Sequence, residues 1–344
     1  MSPYFYTISF GLKENNKQKY MNTQPLLNAV CTVSFAFCMA IVMLSCDPEE
    51  PNQYPEINRL DSLPPDISKR VPSTDHHPPV LYDMDYEIPV PLDAAVNTSG
   101  AEDSPFITPD GNELFFFFTP DVRIPVEKQV LDQVSGVWRS QKVNGVWQLS
   151  ERLWLQEPGK LSLDGAVAIY GDEMWFASAR EGYTGVNMFT AKKNGINWTN
   201  WTYCGDQLMK DYQIGEVHMH GDDLYFHSAR AGSKGGLDLW VTSRNGQQWT
   251  EPRNLGQVNS TGDDGFPFIT DDGKELWFTR TYLGTPAIFR SLKSGESFGP
   301  PELIISQFAG EPTLDAQGNI YFVHHFFENS VMIEADIYVA RKKR

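Results

Sequence analysis

Short runs of apolar and aromatic residues, separated by Gly-containing turns, dominate the chain after residue 80. Asp-Gly and Gly-Asp steps between such runs tolerate the positive φ that tight hairpin turns require. Steps of this kind recur at Asp110-Gly111, Gly171-Asp172, Gly221-Asp222 and Asp272-Gly273, and a Gln-Gly step follows at Gln317-Gly318. The pattern predicts short antiparallel strands, and long helical periodicity is absent outside the N-terminal region.

The strands belong to a repeat, whose two best copies lie 162 residues apart without a gap. The segment 96–116 reappears as 258–278, with Val-Asn, Pro-Phe-Ile-Thr and Asp-Gly at matching places. Weaker copies place the aromatic residue that ends the second run of each unit at Phe116, Phe176, Phe226, Phe278 and Phe322, with spacings of 60, 50, 52 and 44 residues. Four short strands in about 50 residues are the content of a propeller blade. The sequence therefore predicts an all-β, five-bladed β-propeller, with six blades or an open stack of units as the alternatives.

The last unit lacks a fourth strand, because the chain stops at Arg344 soon after the apolar run 336–339. The run 86–92 precedes Val96-Asn97 just as the run 249–255 precedes Val258-Asn259, so it is a fourth strand without a unit of its own. Pairing of this N-terminal strand with the last unit would remove two exposed sheet edges. We expect the ring to be closed in this way.

The best-preserved unit carries a recognisable motif. It contains Pro267-Phe268, Asp272-Gly273 and Glu275-Leu276-Trp277-Phe278, and a Gly-Gly-Leu-Asp-Leu-Trp run ends at Trp240. These residues resemble the WD40-like PD40 repeats of TolB-type propellers, over residues 86–341. The resemblance implies the propeller fold and little about activity, because repeats of this kind occur in binding, scaffolding and enzymatic proteins.

The apolar stretch 26–44 runs directly into Ser45-Cys46. It resembles a bacterial lipoprotein signal, in which cleavage leaves a lipidated N-terminal cysteine. We therefore assign residues 1–45 to a signal peptide, starting at Met1 or Met21, and Cys46 to the lipidation site. A transmembrane anchor is the alternative, because the stretch is nearly long enough to span a bilayer.

Residues 46–79 differ in composition from the repeat region. They begin with Asp47-Pro48-Glu49-Glu50, which is similar to the acidic signals that route lipoproteins of the Bacteroidetes to the cell surface. Eight prolines and the absence of hydrophobic periodicity predict an extended, unstructured tether. The sequence thus predicts a propeller over residues 80–344, attached to the membrane by a lipid anchor in the cell envelope, at the outer membrane and exposed on the surface.

Composition narrows the classes of partner. Hydrophobic residues make up 41% of the chain, enough for a substantial core, and the formal net charge is −16. Such acidity excludes nucleic acid and other polyanions held by a general positive field. Of the four cysteines, Cys31 and Cys38 lie in the predicted leader and Cys46 is the lipidation site, so Cys204 has no partner for an internal disulfide.

Candidate chemistry concentrates where the first strands of the units begin, because first strands line the channel of a propeller and meet at one mouth. An acid stands near the start of each: Asp103, Asp164, Glu216, Asp264 and Glu311. The first interpretation of this ring is architectural, with Arg180, Arg230 and Arg280 after the second strands as partners. The second is recognition of a sugar or of a cation such as Ca²⁺, for which carboxylates are suitable ligands. The third is catalysis.

The catalytic interpretation rests on a resemblance. Five-bladed glycosidases of the furanosidase type carry Asp, Asp and Glu on their first three blades, and the order Asp103, Asp164, Glu216 is similar. Crowded carboxylates repel one another, so one remains protonated as a general acid while another acts as a base. A glycoside hydrolase or polysaccharide lyase is therefore the alternative to a binding protein.

Histidines add candidate ligand contacts. His218 and His220 follow Glu216, and alternation along the strand puts both rings on one face. No spacing matches a zinc motif, so neither a metal centre nor a cofactor is expected, with Ca²⁺ as the one cation considered. We expect a binding protein whose partner is a glycan or another protein of an envelope complex for polysaccharide use.

Overall fold

A computed structural model of the protein describes residues 54–344, and these residues form an all-β structure built from repeated antiparallel meanders. Two short strands come first, β1 (Val80–Leu81) and β2 (Val90–Pro91). Helical segments are limited to single turns: α1 (Val126–Gln129), 3₁₀ turns at Arg59–Ser62, Pro72–Thr74 and Gly256–Val258, and a π turn at Gln207–Asp211. None of the helical turns within residues 54–344 has the length and apolar character needed to cross a bilayer.

The strands after β2 group into units in chain order. Unit 1 comprises β3 (Ala101–Ile107), β4 (Glu113–Thr119), β5 (Gly136–Val143), β6 (Val146–Trp147) and β7 (Glu151–Arg152). Unit 2 comprises β8 (Ser162–Tyr170), β9 (Glu173–Arg180), β10 (Asn187–Asn194) and β11 (Asn197–Tyr203). Unit 3 comprises β12 (Val217–His220), β13 (Asp223–Ser228), β14 (Asp238–Asn245), β15 (Gln248–Trp249) and β16 (Arg253–Asn254). Unit 4 comprises β17 (Asp264–Ile269), β18 (Glu275–Tyr282), β19 (Thr285–Ser294), β20 (Ser297–Phe298) and β21 (Glu302–Ser306), and unit 5 comprises β22 (Ala309–Leu314), β23 (Ile320–Glu328) and β24 (Val331–Ala340).

The first strands of the units contact one another in cyclic order. β3 lies against β8, β8 against β12, β12 against β17, β17 against β22, and β22 against β3. Antiparallel meanders whose first strands surround a common axis are the arrangement of a β-propeller. Units 1 and 5 also share a hydrogen-bonded sheet through a parallel bridge between Ala335 and Ala101.

The N-terminal strand predicted for the last unit is present. β2 pairs antiparallel with β24, with Val90 opposite Val339 and Pro91 opposite Tyr338, and Tyr86 bridges to Lys342 nearby. The backbone groups on the outer edge of β24 are thereby partly hydrogen-bonded. β1 adds to β21 in the same way on unit 4, a pairing that the sequence pattern did not predict.

The repeated Val-Asn step has a structural explanation. The side-chain amide of Asn97 donates to the carbonyl of Ile337 and accepts from its amide, at 2.9 and 3.0 Å. Asn259 makes the same pair of bonds to Leu239, at 2.9 and 2.8 Å. Each asparagine therefore joins the start of one unit to the third strand of the preceding unit, and the junction between units 5 and 1 is built like that between units 3 and 4.

The repeated aromatic residues form the middle of the core. Phe116, Phe176, Phe226, Phe278 and Phe322 are all fully buried. Each lies on the second strand of its unit, where alternation points the side chain into the space between units. Burying a phenylalanine stabilises a fold by roughly 1.5–3 kcal/mol. The phenylalanine is therefore repeated in every unit because it fills the core.

Residues 54–79 are packed on the units, which differs from the extended tether expected for residues 46–79. Tyr54 stacks on Trp154 with ring centroids 5.2 Å apart, and Arg59 is buried. Further along, Lys69 forms ion pairs on β24, and Asp75 bonds to a histidine of β23. Prolines predict an extended backbone here, but Arg59, Lys69 and Asp75 between them have buried partners. The predicted leader 1–45 and Cys46 lie outside the described residues.

Candidate functional site

The first strands of units 1, 2, 4 and 5 contain a bulge that aims one side chain at the axis. Their pairing register shifts after Asp103, Gly165, Gly265 and Gly310. The residue after each of these four has positive φ and lines the central cavity: Ser104, Ala166, Phe266 and Glu311. In unit 3 the corresponding residue that lines the cavity is Glu216. Bulges re-aim side chains in this way and are common near sites. Of the five predicted acids, only Glu216 and Glu311 therefore occupy this position at the axis.

Asp164 and Asp264 have a different role, so the ring of five equivalent acids is wrong. Both side chains are fully buried. Asp164 accepts bonds from Ser162, Ser178 and Arg180, the last at 2.9 Å. A carboxylate buried in this way cannot reach a substrate, which removes it from the catalytic set predicted with Asp103 and Glu216.

Asp264 is held in the same manner. It accepts from the backbone amide and hydroxyl of Ser260 and from the guanidinium of Arg280. Arg180 and Arg280 also donate to backbone carbonyls at the start of their own units. These two acids and two arginines, predicted as catalytic or ligand-binding residues, connect the turn before each first strand to the second strand.

In unit 1 this structural role belongs to Glu102, one residue before the predicted Asp103. Glu102 is fully buried and accepts from the amide and hydroxyl of Thr98, as Asp264 does from Ser260. Its cation is Arg59, whose guanidinium lies 3.0 Å from the carboxylate and also donates to the carbonyl of Val96. The gapless offset of 162 residues aligns Glu102 with Asp264, so the sequence contained this signal.

Asp103 does not have this structural role, and its carboxylate lies close to Glu311 and to His325. One ligand atom each of Asp103, Glu311 and His325 lies within 4.8 Å of the others. Nε2 of His325 is 3.5 Å from Oδ1 of Asp103. Together with Glu216, whose pKa the charge of Asp103 helps to raise, these residues are called the mouth cluster. His325 was not among the predicted site residues.

The protonation equilibria of the mouth cluster differ between its members. Burial, with the charge of Asp103 adding to it, raises the pKa of Glu216 to about 8. The same causes raise the pKa of Glu311 well above its ordinary value. The pKa of Asp103 is lowered, because the attraction and hydrogen bonding of His325 outweigh burial. The pKa of His325 is raised, because the Asp103 carboxylate outweighs the effect of burial. The cluster thus holds an ionised aspartate beside carboxyls that keep their protons near neutrality.

The cavity behind the cluster is small. It measures about 40 Å³ and is lined by the bulge residues and by side chains that follow them, including Val167 and Phe268. A water molecule needs about 10–15 Å³ on this measure, whereas ligand pockets measure about 300–1,000 Å³. The channel can therefore hold water molecules or an ion, and a larger ligand would contact the cluster only from outside.

The remaining predicted ligand residues lie in contacts between or within units. Nδ1 of the buried His218 accepts from the amide of Ile269 at 3.3 Å, and burial lowers its pKa to about 3. In unit 5 the hydroxyl of Thr313 makes the equivalent bond to the amide of Ile107. His218 is therefore a neutral contact between units 3 and 4.

His220 and Arg230 are likewise occupied. Nε2 of His220 lies 3.1 Å from the carbonyl of Asp271 in the next unit. Arg230 donates to Glu251 at 2.8 Å and lies over the ring of Trp240. Unit 3 has no acid at the position of Asp264, since Ile214 stands there, so Arg230 pairs with a surface carboxylate instead.

No protein-family model and no curated protein sequence matches the chain. Among solved structures, TolB from Acinetobacter baumannii is similar at 11% identity and a TM-score of 0.42, over 73% of this chain and 56% of TolB. The protein GH43B of a Bacteroides ovatus xyloglucan locus is similar at 14% identity and a TM-score of 0.44, over 72% of this chain and 53% of the other. An endo-arabinase from Bacteroides thetaiotaomicron gives 13% identity and a TM-score of 0.44, over 72% and 96%. The chain spans little more than half of the first two proteins.

Proposed function

We propose that this protein is a five-bladed β-propeller of the cell envelope that binds a glycan at the mouth of its channel. The cyclic contacts of the first strands and the pairing of β2 with β24 of unit 5 support the count of five. The observation that carries the binding proposal is the mouth cluster. Asp164 and Asp264 are paired with Arg180 and Arg280 within their own units, whereas Asp103 and His325 keep accessible surface.

A glycan suits the chemistry of this mouth. Ionised carboxylates accept hydrogen bonds from sugar hydroxyls, and a protonated carboxyl can donate one. An aromatic pair lies beside the cluster, because the carbonyl of Phe308 accepts from the amide of His325, and the ring of Phe308 stacks on Phe327 at 4.5 Å. Aromatic faces and carboxylates together support recognition of a sugar, and the small cavity restricts contact to the outer surface.

The anchor forms the second part of the proposal. We infer that Cys46 is lipidated after removal of residues 1–45 and holds the protein at the outer membrane, exposed on the surface. Growth with a radiolabelled fatty acid should label the wild-type chain, whereas the Cys46→Ser variant should remain unlabelled and leave the membrane fraction. Labelling of Cys46→Ser, or its retention in the membrane without label, would favour a transmembrane anchor.

Binding is tested with the full-length chain, purified in detergent, against a panel of envelope and plant polysaccharides by calorimetry. We expect one polysaccharide class to bind and Asp103→Asn to weaken that binding at least about tenfold, the loss of a charged hydrogen bond. Glu311→Leu should also weaken it, because it removes the hydroxyl donor of a protonated carboxyl. Asp206→Asn is the matched control, because Asp206 pairs with Lys210 on the exposed surface. Equal weakening in the control, or wild-type binding in both cluster variants, would contradict the proposal. A chain that binds no polysaccharide but retains an envelope protein in pull-down would identify a protein partner instead.

A hydrolase or lyase is the second candidate, and one observation favours it. The pKa of Glu216 is raised to about 8 while that of Asp103 is lowered, which is the division between a general acid and a general base. The release of reducing ends or unsaturated products from the bound polysaccharide would support an enzyme. Activity that survives both Glu216→Gln and Asp103→Asn would exclude this pair as its acid and base.

A further inference from the structure

The mouth cluster brings the carboxyl groups of Asp103 and Glu311 and the imidazole of His325 close enough to share one ligand. The 3.5 Å between Nε2 of His325 and Oδ1 of Asp103 exceeds the usual 2.7–3.2 Å of a nitrogen–oxygen hydrogen bond. Ligands bound about 2.1 Å from a tetrahedral metal ion lie roughly 3.4 Å from one another. The separation of these two atoms therefore matches that of two ligands on one ion.

A second observation concerns Glu311. Its Oε2 atom is shielded from solvent and, among the described residues, has no hydrogen-bond partner. A buried carboxyl oxygen without a partner costs about 1–3 kcal/mol, so folded proteins rarely leave one. The oxygen belongs to a residue that the bulge aims at the axis, beside Asp103 and His325.

We propose that Asp103, Glu311 and His325 bind a divalent transition-metal ion, of which Zn²⁺ is the representative, with the remaining coordination position open to the channel. A nitrogen ligand and only two carboxylates suit zinc, whereas Ca²⁺ takes six to eight oxygen ligands. The cavity of about 40 Å³ leaves room for a water on the open position. This inference rests on the proposed function only in that both use the mouth cluster.

The ion explains why unlike groups meet here. Asp103 stands where units 2 to 5 have glycine, at Gly165, Gly215, Gly265 and Gly310. Unit 1 is thus the one unit with a carboxylate in place of this glycine, and that carboxylate lies near Glu311 of unit 5. His325 comes from the second strand of unit 5. An ion on these ligands would join units 1 and 5, the two units where the ring is closed.

The test uses the full-length chain in detergent, freed of metal with a chelator and titrated separately with Zn²⁺, Mn²⁺ and Ca²⁺ by calorimetry. We expect one equivalent of Zn²⁺ to bind and to raise the thermal midpoint. His325→Gln and Asp103→Asn should each weaken binding at least about 100-fold, since even residues that only orient metal ligands are worth 10- to 100-fold. A Co²⁺-substituted sample should show the absorption of a tetrahedral site in the wild type and lose it in His325→Gln.

Two controls keep the test specific. The exposed pair His76 and His77 can bind zinc adventitiously, so the double variant His76→Gln/His77→Gln should retain the equivalent that the cluster variants lose. Loss in that double variant with retention in His325→Gln would overturn the proposal. So would binding of Ca²⁺ alone, or the absence of binding in a chain whose circular dichroism shows it to be folded.

The same samples separate this inference from the proposed function. Polysaccharide binding that persists in the presence of chelator, from a chain that takes up no metal, would refute the ion and leave the glycan proposal standing. Zinc bound by the cluster in a chain that binds no polysaccharide would support the ion and refute the glycan proposal.

Discussion

Replacing Arg59 tests whether the N-terminal segment is part of the folded ring. In units 2 and 4 the buried acid is paired with an arginine of the second strand, Arg180 or Arg280. In unit 1 the residue aligned with Arg280 is Phe118, and Arg59 supplies the guanidinium from outside the unit. It also lies over the rings of Phe116 and Phe118, at 5.4 and 5.2 Å.

The expected loss of unfolding free energy in Arg59→Met follows from the burial of the ion pair. The side chains of Arg59 and Glu102 are 4% and 0% exposed. Removing one partner of a buried ion pair costs about 3–5 kcal/mol, because the other charge is left without compensation. Arg59→Met should lower the free energy of unfolding, measured by urea denaturation of the full-length chain, by about that amount. Arg59→Met/Glu102→Gln should lose less, because no charge then remains buried.

The matched control is Arg123→Met. Arg123 also connects the N-terminal segment to the ring, through Asp66, but these side chains are 54% and 62% exposed. Exposed pairs contribute about 0–1 kcal/mol. Equal losses in Arg59→Met and Arg123→Met would refute the reasoning.

A pH series gives an independent check. Burial raises the pKa of Glu102 above its ordinary value, and the charge of Arg59 limits that increase. Without Arg59 the folded-state pKa rises further. A carboxyl whose pKa is higher in the folded state loses stabilising free energy as the pH rises, so the deficit of Arg59→Met should widen from about pH 5 to pH 8. A deficit that narrows over this range would contradict the assignment.

Two further predictions concern the junctions between units. A Cβ on Gly235 would lie 1.9 Å from the carbonyl oxygen of Gly262, whereas one on Gly262 has its closest neighbour at 3.4 Å. Gly235→Ala should therefore destabilise the fold by about 1–3 kcal/mol or more, against a small effect of Gly262→Ala, in urea denaturation. Equal effects would show that the turn adapts. The pKa of His218 is lowered from 6.5 to about 3 by burial, so the unfolded state takes up a proton first and stability is lost as the pH falls below about 6.5. By about pH 5 the loss of unfolding free energy amounts to about 2 kcal/mol. His218→Thr, which copies Thr313 of unit 5, should lose less over the same range. A pH dependence in this variant equal to that of the wild type would contradict the assignment.

Much of the fold could be predicted because a repeated unit shows its packing in its sequence. Phe116 and Phe278 occupy matching positions because both fill the space between units, and Asn97 and Asn259 match because both join one unit to the preceding one. The segment that pairs with β24 was predictable for the same reason, as a strand left over when the copies are aligned.

The site was predicted less well, because its geometry depends on the bulge. Glu102 and Asp103 are adjacent acids, and the offset that aligns Glu102 with Asp264 is the one sequence signal that distinguishes the buried partner of Arg59 from the residue at the mouth. No local pattern relates Arg59 to Glu102 across 43 residues of sequence. His324 and His325 are adjacent in the middle of β23, and their neighbours in space come from other parts of the chain, Asp75 from the N-terminal segment and Asp103 from unit 1.

The docking of residues 54–79 also fixes where the preceding chain leaves the ring. Tyr54 lies on Trp154 and donates to the carbonyl of Gln156, in the connection that leads to the start of β8. That end of the ring carries the mouth cluster. If Cys46 holds the proposed lipid, the eight residue steps from it to Tyr54 span at most about 29 Å when fully extended. The mouth would then stand over the membrane within that height, and its partners would be molecules that lie in the same membrane or enter the gap from the side.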